Sequence, residues 1–104
     1  MDTTREGDWI QLYSGHPFWP TDPRAEDLCI EDIAHSLALE NRYSGATRVP
    51  YSVAEHSVRV AEYVRARAVN AHWDAERVRN ATLAGLLHDG SEGLGWKDIA
   101  RPLK

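Results

Sequence analysis

From about residue 27 onward, apolar residues recur at the spacing of amphipathic helices. In the first predicted helix, over about 28–40, the i, i+3, i+4, i+7 positions of one face are all apolar: Ile30, Ile33, Ala34 and Leu37. The polar and glycine-containing stretch 41–45 ends this helix. Because no stretch alternates apolar and polar residues as a half-buried strand does, the pattern predicts an all-α fold.

The second predicted helix begins with a recognisable N-terminal signal. Ser52 is followed three residues later by Glu55, which is the spacing of a capping box, and Pro50 precedes both. One stripe of the helix then carries Val53, His56, Val60, Tyr63 and Val64. We therefore expect His56 to face inward, about one turn from the start of the helix.

The third predicted helix begins at Asp74, with Glu76 in its first turn, where a negative charge favours the helix dipole. Trp73 and Val78 occupy the two positions of a hydrophobic staple. Its second half, 81–87, is apolar on nearly all sides. This composition predicts that the third helix is the central and most buried one.

The N-terminal segment 1–26 has the composition of a long extended connection. Three prolines recur in it at three-residue intervals: Pro17, Pro20 and Pro23. Such a segment is not helical, and we expect Phe18 and Trp19 to fix it against the core. The sequence thus predicts one domain over 1–104, with an extended segment 1–26 and a helical core 27–104.

Composition and charge exclude several classes of protein. The chain has 104 residues, of which 42% are hydrophobic, and 12 Lys and Arg stand against 16 Asp and Glu for a net charge of −4. A nonspecific nucleic-acid binder needs many cations on one face, so no nucleic-acid partner is expected. The single cysteine, Cys29, excludes an internal disulfide and is expected to be a small core residue at a helix start. With no membrane-length apolar run and no signal peptide, we expect a cytoplasmic protein without a membrane partner.

The candidate chemistry begins with His88 and Asp89, which directly follow the apolar run 81–87. An imidazole and a carboxylate at the end of a buried helix carry a desolvation cost unless something binds them. His56 lies 32 residues upstream, far enough for two antiparallel helices to bring the three groups together. Two histidines and one aspartate leave coordination positions open for water and substrate, which indicates a catalytic divalent metal. Mn, Co, Fe, Ni, Mg and Zn all remain candidates.

Two further carboxylates follow this pair in a glycine-rich stretch. Glu92 lies three residues after Asp89, and Asp98 lies nine after it. A carboxylate near a metal site is able to accept a proton from the attacking water or to donate one to the leaving group. For Glu92 we favour this role over that of a solvated loop residue. Asp98 is equally well interpreted as the N-cap of a further helix starting near 98–101.

Arg42 and Tyr43 follow the first predicted helix. A guanidinium at this place is suited to grip a phosphate, and the tyrosine to stack on a base or sugar. The alternative is that Arg42 simply interacts with the helix C-terminus as a cation. His16, His35 and His72 are interpreted as surface or edge histidines.

Several strings of the sequence together resemble the HD-domain phosphohydrolase superfamily. They are His56, the string 86–92 (LLHDGSE), and the flanking strings 15–20 (GHPFWP), 30–34 (IEDIA), 51–57 (YSVAEHS) and 101–104 (RPLK). The flanking strings resemble small HD proteins of phages and prophages, a group similar to bacterial 5′-deoxynucleotidases and phage dATP triphosphohydrolases. The resemblance covers nearly the whole chain from residue 13 onward.

The resemblance implies that His56, His88 and Asp89 bind the metal. Glu92 and Asp98 would match the acidic pair that handles water and protons. Arg42 would match the arginine that contacts the substrate phosphate, and Tyr43 the aromatic residue beside it.

The chain departs from the family pattern in two places. The family has a fourth metal ligand, an aspartate on a later helix, for which this sequence offers no match before Lys104. The connection between Glu92 and Asp98 is also one residue longer than usual. We therefore expect an HD-like helical bundle that lacks the last helices of the family domain. Apolar surface left uncovered in this way would favour a homo-oligomer.

These features predict a divalent-metal-dependent phosphohydrolase acting on a small-molecule nucleotide, a deoxynucleoside mono- or triphosphate. The alternative is a catalytically inactive helical module that binds metal or nucleotide, because the fourth ligand is absent. A nucleic-acid or protein-interaction domain with a structural histidine cluster is disfavoured by the acidic charge balance. The base, the sugar, the number of phosphates removed and the identity of the metal stay open.

Overall fold

A computed structural model describes residue 5 and residues 7–94 of the chain. Its principal elements are three α-helices: α1 (Ile30–Leu39), α2 (Val53–Asn70) and α3 (Ala75–Leu87). Short 3-10 turns precede α1 (Ala25–Asp27), connect α1 to α2 (Arg42–Gly45) and follow α3 (Gly90–Leu94). The prediction of a mainly helical fold is confirmed. The helix start predicted near 98–101 lies outside the described residues.

Two short strands, β1 (Ile10–Gln11) and β2 (Pro17–Phe18), form an antiparallel hairpin that the sequence pattern did not predict. Ile10 pairs with Phe18, and Gln11 with Pro17. With two residues each, the strands are too short to show an alternating pattern, and Pro17 is tolerated because this strand is an edge. The segment was expected to be extended and non-helical, and the pairing of its two strands adds to that expectation.

The hairpin carries the large side chains of the core. Phe18 is fully buried and Trp19 is 4% exposed, so the prediction that these two aromatics pack inward is confirmed. Phe18 and Leu12 form one cluster with Leu94, and Ile33 of α1 packs against it. The turn after α3 is thereby attached to the N-terminal hairpin.

A polar network holds the N-terminal segment in place. The Arg5 guanidinium donates to Asp27 at 2.6 Å and lies 3.9 Å from the centre of the Trp19 ring. His16 Nε2 lies 2.9 Å from the other carboxylate oxygen of Asp27. The hydrogen bonds from His16 and Arg5 lower the pKa of Asp27 below its ordinary value. His35 is half-buried and stacks on the Tyr13 ring at 3.7 Å, as an edge histidine does.

Only two of the four residues in the predicted apolar stripe of α1 pack inward, Ile33 and Leu37. Asp32 and Leu37 are buried, whereas Ile30 is 56% exposed and Ala34 is exposed as well. The cause is polar: the Asp32 carboxylate accepts hydrogen bonds from the Ser14 backbone N–H at 2.7 Å and from its hydroxyl at 2.8 Å. These bonds lower the pKa of Asp32 and turn this side of α1 toward the hairpin.

The expectation that Cys29 is a core residue is also wrong. It is exposed and occupies the N-cap position of α1, where no side-chain cap hydrogen bond forms. Because α1 turns its Asp32 side toward the hairpin, the first residues of the helix lie at the surface.

Helix α2 begins as predicted: the Ser52 hydroxyl accepts a hydrogen bond from the Glu55 N–H at 3.0 Å. Its buried residues are Val53, Ser57, Ala61 and Ala68. Tyr63, which the pattern placed inward, is 62% exposed, and its hydroxyl accepts from Arg67 at 3.0 Å. Small residues face α3 instead, because the helices approach closely at Gly85: a Cβ there would lie 3.3 Å from Val64.

Helix α3 begins at the predicted cap, with the Asp74 carboxylate accepting from the Arg77 N–H at 2.9 Å. The prediction that it is the most buried helix is wrong for the described residues, since none of α3 is buried and Leu83 and Leu87 are 48% and 47% exposed. Within that part of the chain, α3 packs mainly on α2 and leaves its other sides open. None of the described helices is long and apolar enough to cross a membrane.

Candidate metal centre

Three of the predicted site residues come together where the start of α2 meets the end of α3. One ligand atom from each of His56, His88 and Asp89 lies within 4.8 Å of the others. Asp89 Oδ2 is 2.9 Å from His88 Nε2 and 3.4 Å from His56 Nε2. The two imidazole rings meet edge to face, with centres 5.3 Å apart. One carboxylate oxygen thus faces two imidazole nitrogens.

The local sequence explains how these side chains meet. The Ser52 cap fixes the start of α2, so that His56 falls in its second turn. Helix α3 returns antiparallel after a short turn, and His88 is its C-cap residue. The close approach at Gly85 brings the last turn of α3 against α2. The trio is therefore a consequence of two helix boundaries and one close helix contact.

The hydrogen bonds of His88 indicate its tautomer. Its Nδ1 lies 2.7 Å from the Gly85 carbonyl oxygen, which only accepts, so Nδ1 carries the proton. The lone pair of the neutral ring is then on Nε2, which faces the Asp89 carboxylate at 2.9 Å. Two acceptors at this distance repel each other unless a proton or a cation lies between them. A histidine that donates to a carbonyl through one nitrogen and offers the other is the usual arrangement of a metal ligand.

The three side chains of the trio differ in how far they are exposed to solvent. The side chains of His56 and Asp89 are 19% and 16% exposed, and that of His88 is 38% exposed. The residues present fit a divalent ion of the first transition row, which imidazole and carboxylate ligands both suit. Three protein ligands leave coordination positions open on the solvent side.

Glu92 lies on the turn that follows the trio directly. Its backbone N–H donates to the Asp89 carbonyl at 3.0 Å, and the residue is half-buried. The next residue, Gly93, lies so close to α1 that a Cβ would be 3.2 Å from the Ile33 carbonyl oxygen. The position of Glu92 is therefore set by its backbone hydrogen bond to Asp89 of the trio and by the contact of Gly93 with α1. Asp98, its predicted partner, lies outside the described residues.

Arg42 and Tyr43 are brought together on the connection between α1 and α2. The Arg42 guanidinium carbon lies 4.9 Å from the centre of the Tyr43 ring, and Tyr43 is 51% exposed. The Arg42 N–H donates to the Tyr51 carbonyl at 2.7 Å, and the Tyr51 ring meets His56 edge-on with centres 6.4 Å apart. The backbone of the Arg42 segment is thus connected to the trio through Tyr51.

This connection has an uncommon backbone. Tyr43 and Ser44 both have left-handed φ values, 54° and 52°, and Gly45 follows at 86°. Left-handed conformations cost free energy in residues other than glycine, and such costs concentrate at functional sites. The strain here coincides with the residue predicted to stack on the substrate.

Three contributors to the site were missed by reasoning from the sequence: Tyr51, Gly85 and Gly93. Gly85 had a usable signal, because a histidine at a helix C-cap is able to reach back to the carbonyl three residues earlier. Gly93 and Tyr51 act through contacts with other elements, α1 and His56, which no local pattern reports.

Comparison with known proteins finds relatives whose own roles are not defined. No family model matches the chain. It is 41% identical over 100 residues to "Uncharacterized protein RCAP_rcc00048" of Rhodobacter capsulatus, and 30% identical over 96 residues to "Uncharacterized protein YfdR" of Escherichia coli. Each similarity covers 92% of this chain and 46% of the relative. The chain thus spans about half the length of the curated relatives it matches.

Proposed function

We propose that this chain carries the metal centre of a phosphohydrolase that acts on nucleotides, with a deoxynucleoside mono- or triphosphate as substrate. The observation that supports this most is the convergence of His56, His88 and Asp89 within 4.8 Å. The resemblance of the surrounding sequence to HD-domain phosphohydrolases supports the choice of reaction.

In this proposal His56 and His88 bind the metal through Nε2, and Asp89 binds it through Oδ2. When bound, a divalent cation neutralises phosphate charge and lowers the pKa of water toward neutrality. The Gly85 carbonyl holds the His88 ring in the orientation and tautomer that binding needs. The chain's own part is to fix three donors in advance, which removes the entropic cost of assembling them.

Glu92 positions the attacking water and accepts its proton. Its backbone hydrogen bond to Asp89 fixes it at the edge of the trio, and its half-buried position leaves it accessible to water. Asp98 remains the predicted second member of this acidic pair, on the resemblance alone.

Arg42 binds the substrate phosphate, and Tyr43 stacks on the base or sugar. The guanidinium and the ring lie against each other on the same loop, so one bound nucleotide could contact both groups. Charge neutralisation and positioning are the main protein contributions to phosphoryl transfer.

A screen of nucleotides against several divalent metals tests the proposal directly. Deoxynucleoside mono-, di- and triphosphates are incubated with the chain and Mn, Co, Ni, Mg or Zn, and phosphate or pyrophosphate release is measured. The full-length Rhodobacter relative is assayed in parallel. The HD-domain family that this chain resembles has a fourth metal ligand, an aspartate on a later helix, and the longer relative tests whether further sequence is needed for activity. We expect metal-dependent release that His56→Ala and Asp89→Ala each reduce by about 100-fold or more.

His72→Ala is the matched control, since His72 is an exposed histidine at the opposite end of α2. This variant should keep both metal content and activity. Unchanged metal content and hydrolysis in the His56 and Asp89 variants would overturn the proposal.

The second candidate is a metal- or nucleotide-binding module without turnover. It is favoured by the 38% exposure of the His88 side chain, which gives a shallow site with three ligands among the described residues. Calorimetric titration of Mn or Co, run beside the release assay, separates the two functions. Tight binding without release supports the module, and binding with release supports the hydrolase.

A further inference from the structure

Helices α2 and α3 form a second surface feature far from the metal trio. A groove of about 840 Å³ runs between the end of α2 and the start of α3, and its lining includes Arg65, Val69, Trp73, Val78, Arg79 and Leu83. Val69 lies thirteen residues after His56, which is about 20 Å along α2. The groove is therefore separate from the candidate metal centre.

The groove combines apolar and basic character. Val69, Trp73 and Leu83 are 49%, 41% and 48% exposed, so a continuous apolar surface meets water. Two arginines, Arg65 and Arg79, line it as well. The chain as a whole has a net charge of −4, which makes this local excess of positive charge distinctive. Such a surface fits an apolar ridge flanked by acidic residues.

The chain itself presents a surface of that kind on α1. The segment 26–40 contains neither lysine nor arginine, and of its five acidic residues Asp27 and Asp32 are buried whereas Glu26 and Glu31 are exposed. Ile30, Ala34 and Ala38, at i, i+4 and i+8, share one helix face, and all three are exposed. Glu31, also exposed, borders this ridge. The ridge contains half of the apolar stripe that the sequence predicted to be core.

We infer that a second copy of this chain places its α1 ridge in the α2–α3 groove. Ile30, Ala34 and Ala38 would cover the exposed faces of Val69, Trp73 and Leu83. The Glu31 carboxylate would accept hydrogen bonds from an arginine at the groove edge. In a closed two-fold pair each copy contributes one ridge and one groove, so the contact forms twice. This inference goes beyond the proposed hydrolase function and does not depend on the metal centre.

A charge exchange between two variants tests the contact. Arg65→Glu combined with Arg79→Glu makes the groove acidic, and Glu31→Arg makes the ridge basic. Each variant alone brings like charges together, so its self-association, measured by sedimentation equilibrium at low salt, should weaken at least about tenfold. When the two variants are mixed, each ridge again meets a groove of opposite charge, and association should return.

Arg59→Glu is the matched control, because Arg59 is an exposed arginine of α2 outside the groove. It should associate like the unaltered chain, and circular dichroism should show the same helix content for all variants. The inference is overturned if the unaltered chain stays monomeric. It is equally overturned if the groove variant associates normally, which would point to a ridge-to-ridge contact. Failure of the mixture to associate would contradict it as well.

Discussion

The N-terminal hairpin with α1 and the pair α2–α3 are stabilised in different ways. The first region buries two large aromatic side chains, Phe18 and Trp19. It also buries the Asp32 carboxylate, which accepts a hydrogen bond from the backbone N–H of Ser14 in the hairpin. The second region buries Val53 and small residues such as Ala61 and Ala68, whereas large side chains of α3 such as Leu83 and Leu87 stay nearly half exposed. The comparison teaches that close helix contact, not a thick apolar core, holds α2 against α3.

The candidate metal centre lies where these two regions meet. His56 and His88 belong to the α2–α3 pair, whereas the turn that carries Glu92 packs on α1 and contributes Leu94 to the hairpin core. Changes in the second region should therefore act on the proposed metal ligands, and changes in the first should act on Glu92.

The largest contrast is expected between Phe18→Ala and Leu83→Ala. Phe18 is fully buried, so its truncation should lower the free energy of unfolding by about 3–5 kcal/mol. Leu83 is 48% exposed in the single chain, so at concentrations low enough to keep the chain monomeric its truncation should cost about 1 kcal/mol or less. Urea denaturation followed by circular dichroism measures both. Equal losses would show that Leu83 is buried in solution, as it would be at an interface.

Acidification should act mainly on the first region. The pKa values of Asp27 and Asp32 are lowered in the folded chain from an ordinary value of 3.8. Each carboxylate therefore stabilises the fold at pH above that value, and the contribution is lost as the pH falls through the lowered folded values. Thermal melts from pH 7 to pH 2 should show a Tm that declines below about pH 4.

Asp32→Asn isolates one part of that pH dependence. It should lower the Tm at neutral pH and flatten the acid decline, because the side chain no longer titrates. Glu31→Gln, a change of the exposed neighbouring carboxylate, is the control and should leave the acid decline nearly as it is. An Asp32→Asn profile that runs parallel to the unaltered one would refute the assignment.

Two glycine substitutions separate Glu92 from the metal ligands. A Cβ at position 93 would meet the Ile33 backbone oxygen at 3.2 Å, whereas one at position 85 would meet side-chain tips of Val64 and Val60 at 3.3 and 3.4 Å. Gly93→Ala should therefore cost about 1–3 kcal/mol and Gly85→Ala less, since valine tips give way more easily than backbone.

Their effects on function should also differ. Gly93→Ala should displace Glu92 and reduce nucleotide hydrolysis while metal binding persists. Gly85→Ala should shift the His88 ring and weaken metal binding. Metal titration beside the release assay distinguishes these outcomes, and weakened metal binding in both variants would remove the distinction between the two regions.

The smallest effect is expected from Ser57→Ala in the helix pair. The Ser57 hydroxyl is buried, and within the described part of the chain it has no hydrogen-bond partner. Removing an unsatisfied buried hydroxyl and placing alanine in a helix should raise the free energy of unfolding by about 0.5–1 kcal/mol. The midpoint of urea denaturation is the readout. A decrease would mean that the hydroxyl is satisfied by a bound water.

Local sequence was sufficient for the helix boundaries. The caps at Ser52 and Asp74 form as predicted, because a cap involves only a few neighbouring residues. The end of α1 was predicted equally well from the stretch 41–45. The left-handed backbone of that connection at Tyr43 and Ser44 was not predicted from its composition.

The site was predictable as a set of residue types, but not as a geometry. Histidine and aspartate after an apolar run, with His56 one helix earlier, indicated the trio from chemistry and spacing alone. The contacts of Gly93 with α1 and of Tyr51 with His56 join residues distant in sequence or in different elements, so no local pattern contains them.

The sequence by itself determined where the helices begin and end and which side chains are available to bind a cation, because both depend on near neighbours and side-chain chemistry. Only the tertiary structure decided which faces are buried. The hydrogen bonds between Ser14 and Asp32 orient α1 so that Ile30 and Ala34 of its apolar stripe stay exposed, and close packing at Gly85 placed small residues rather than Tyr63 between α2 and α3. Whether a helix face is buried depends on which other element packs against it, and the spacing of apolar residues along the chain does not specify that element.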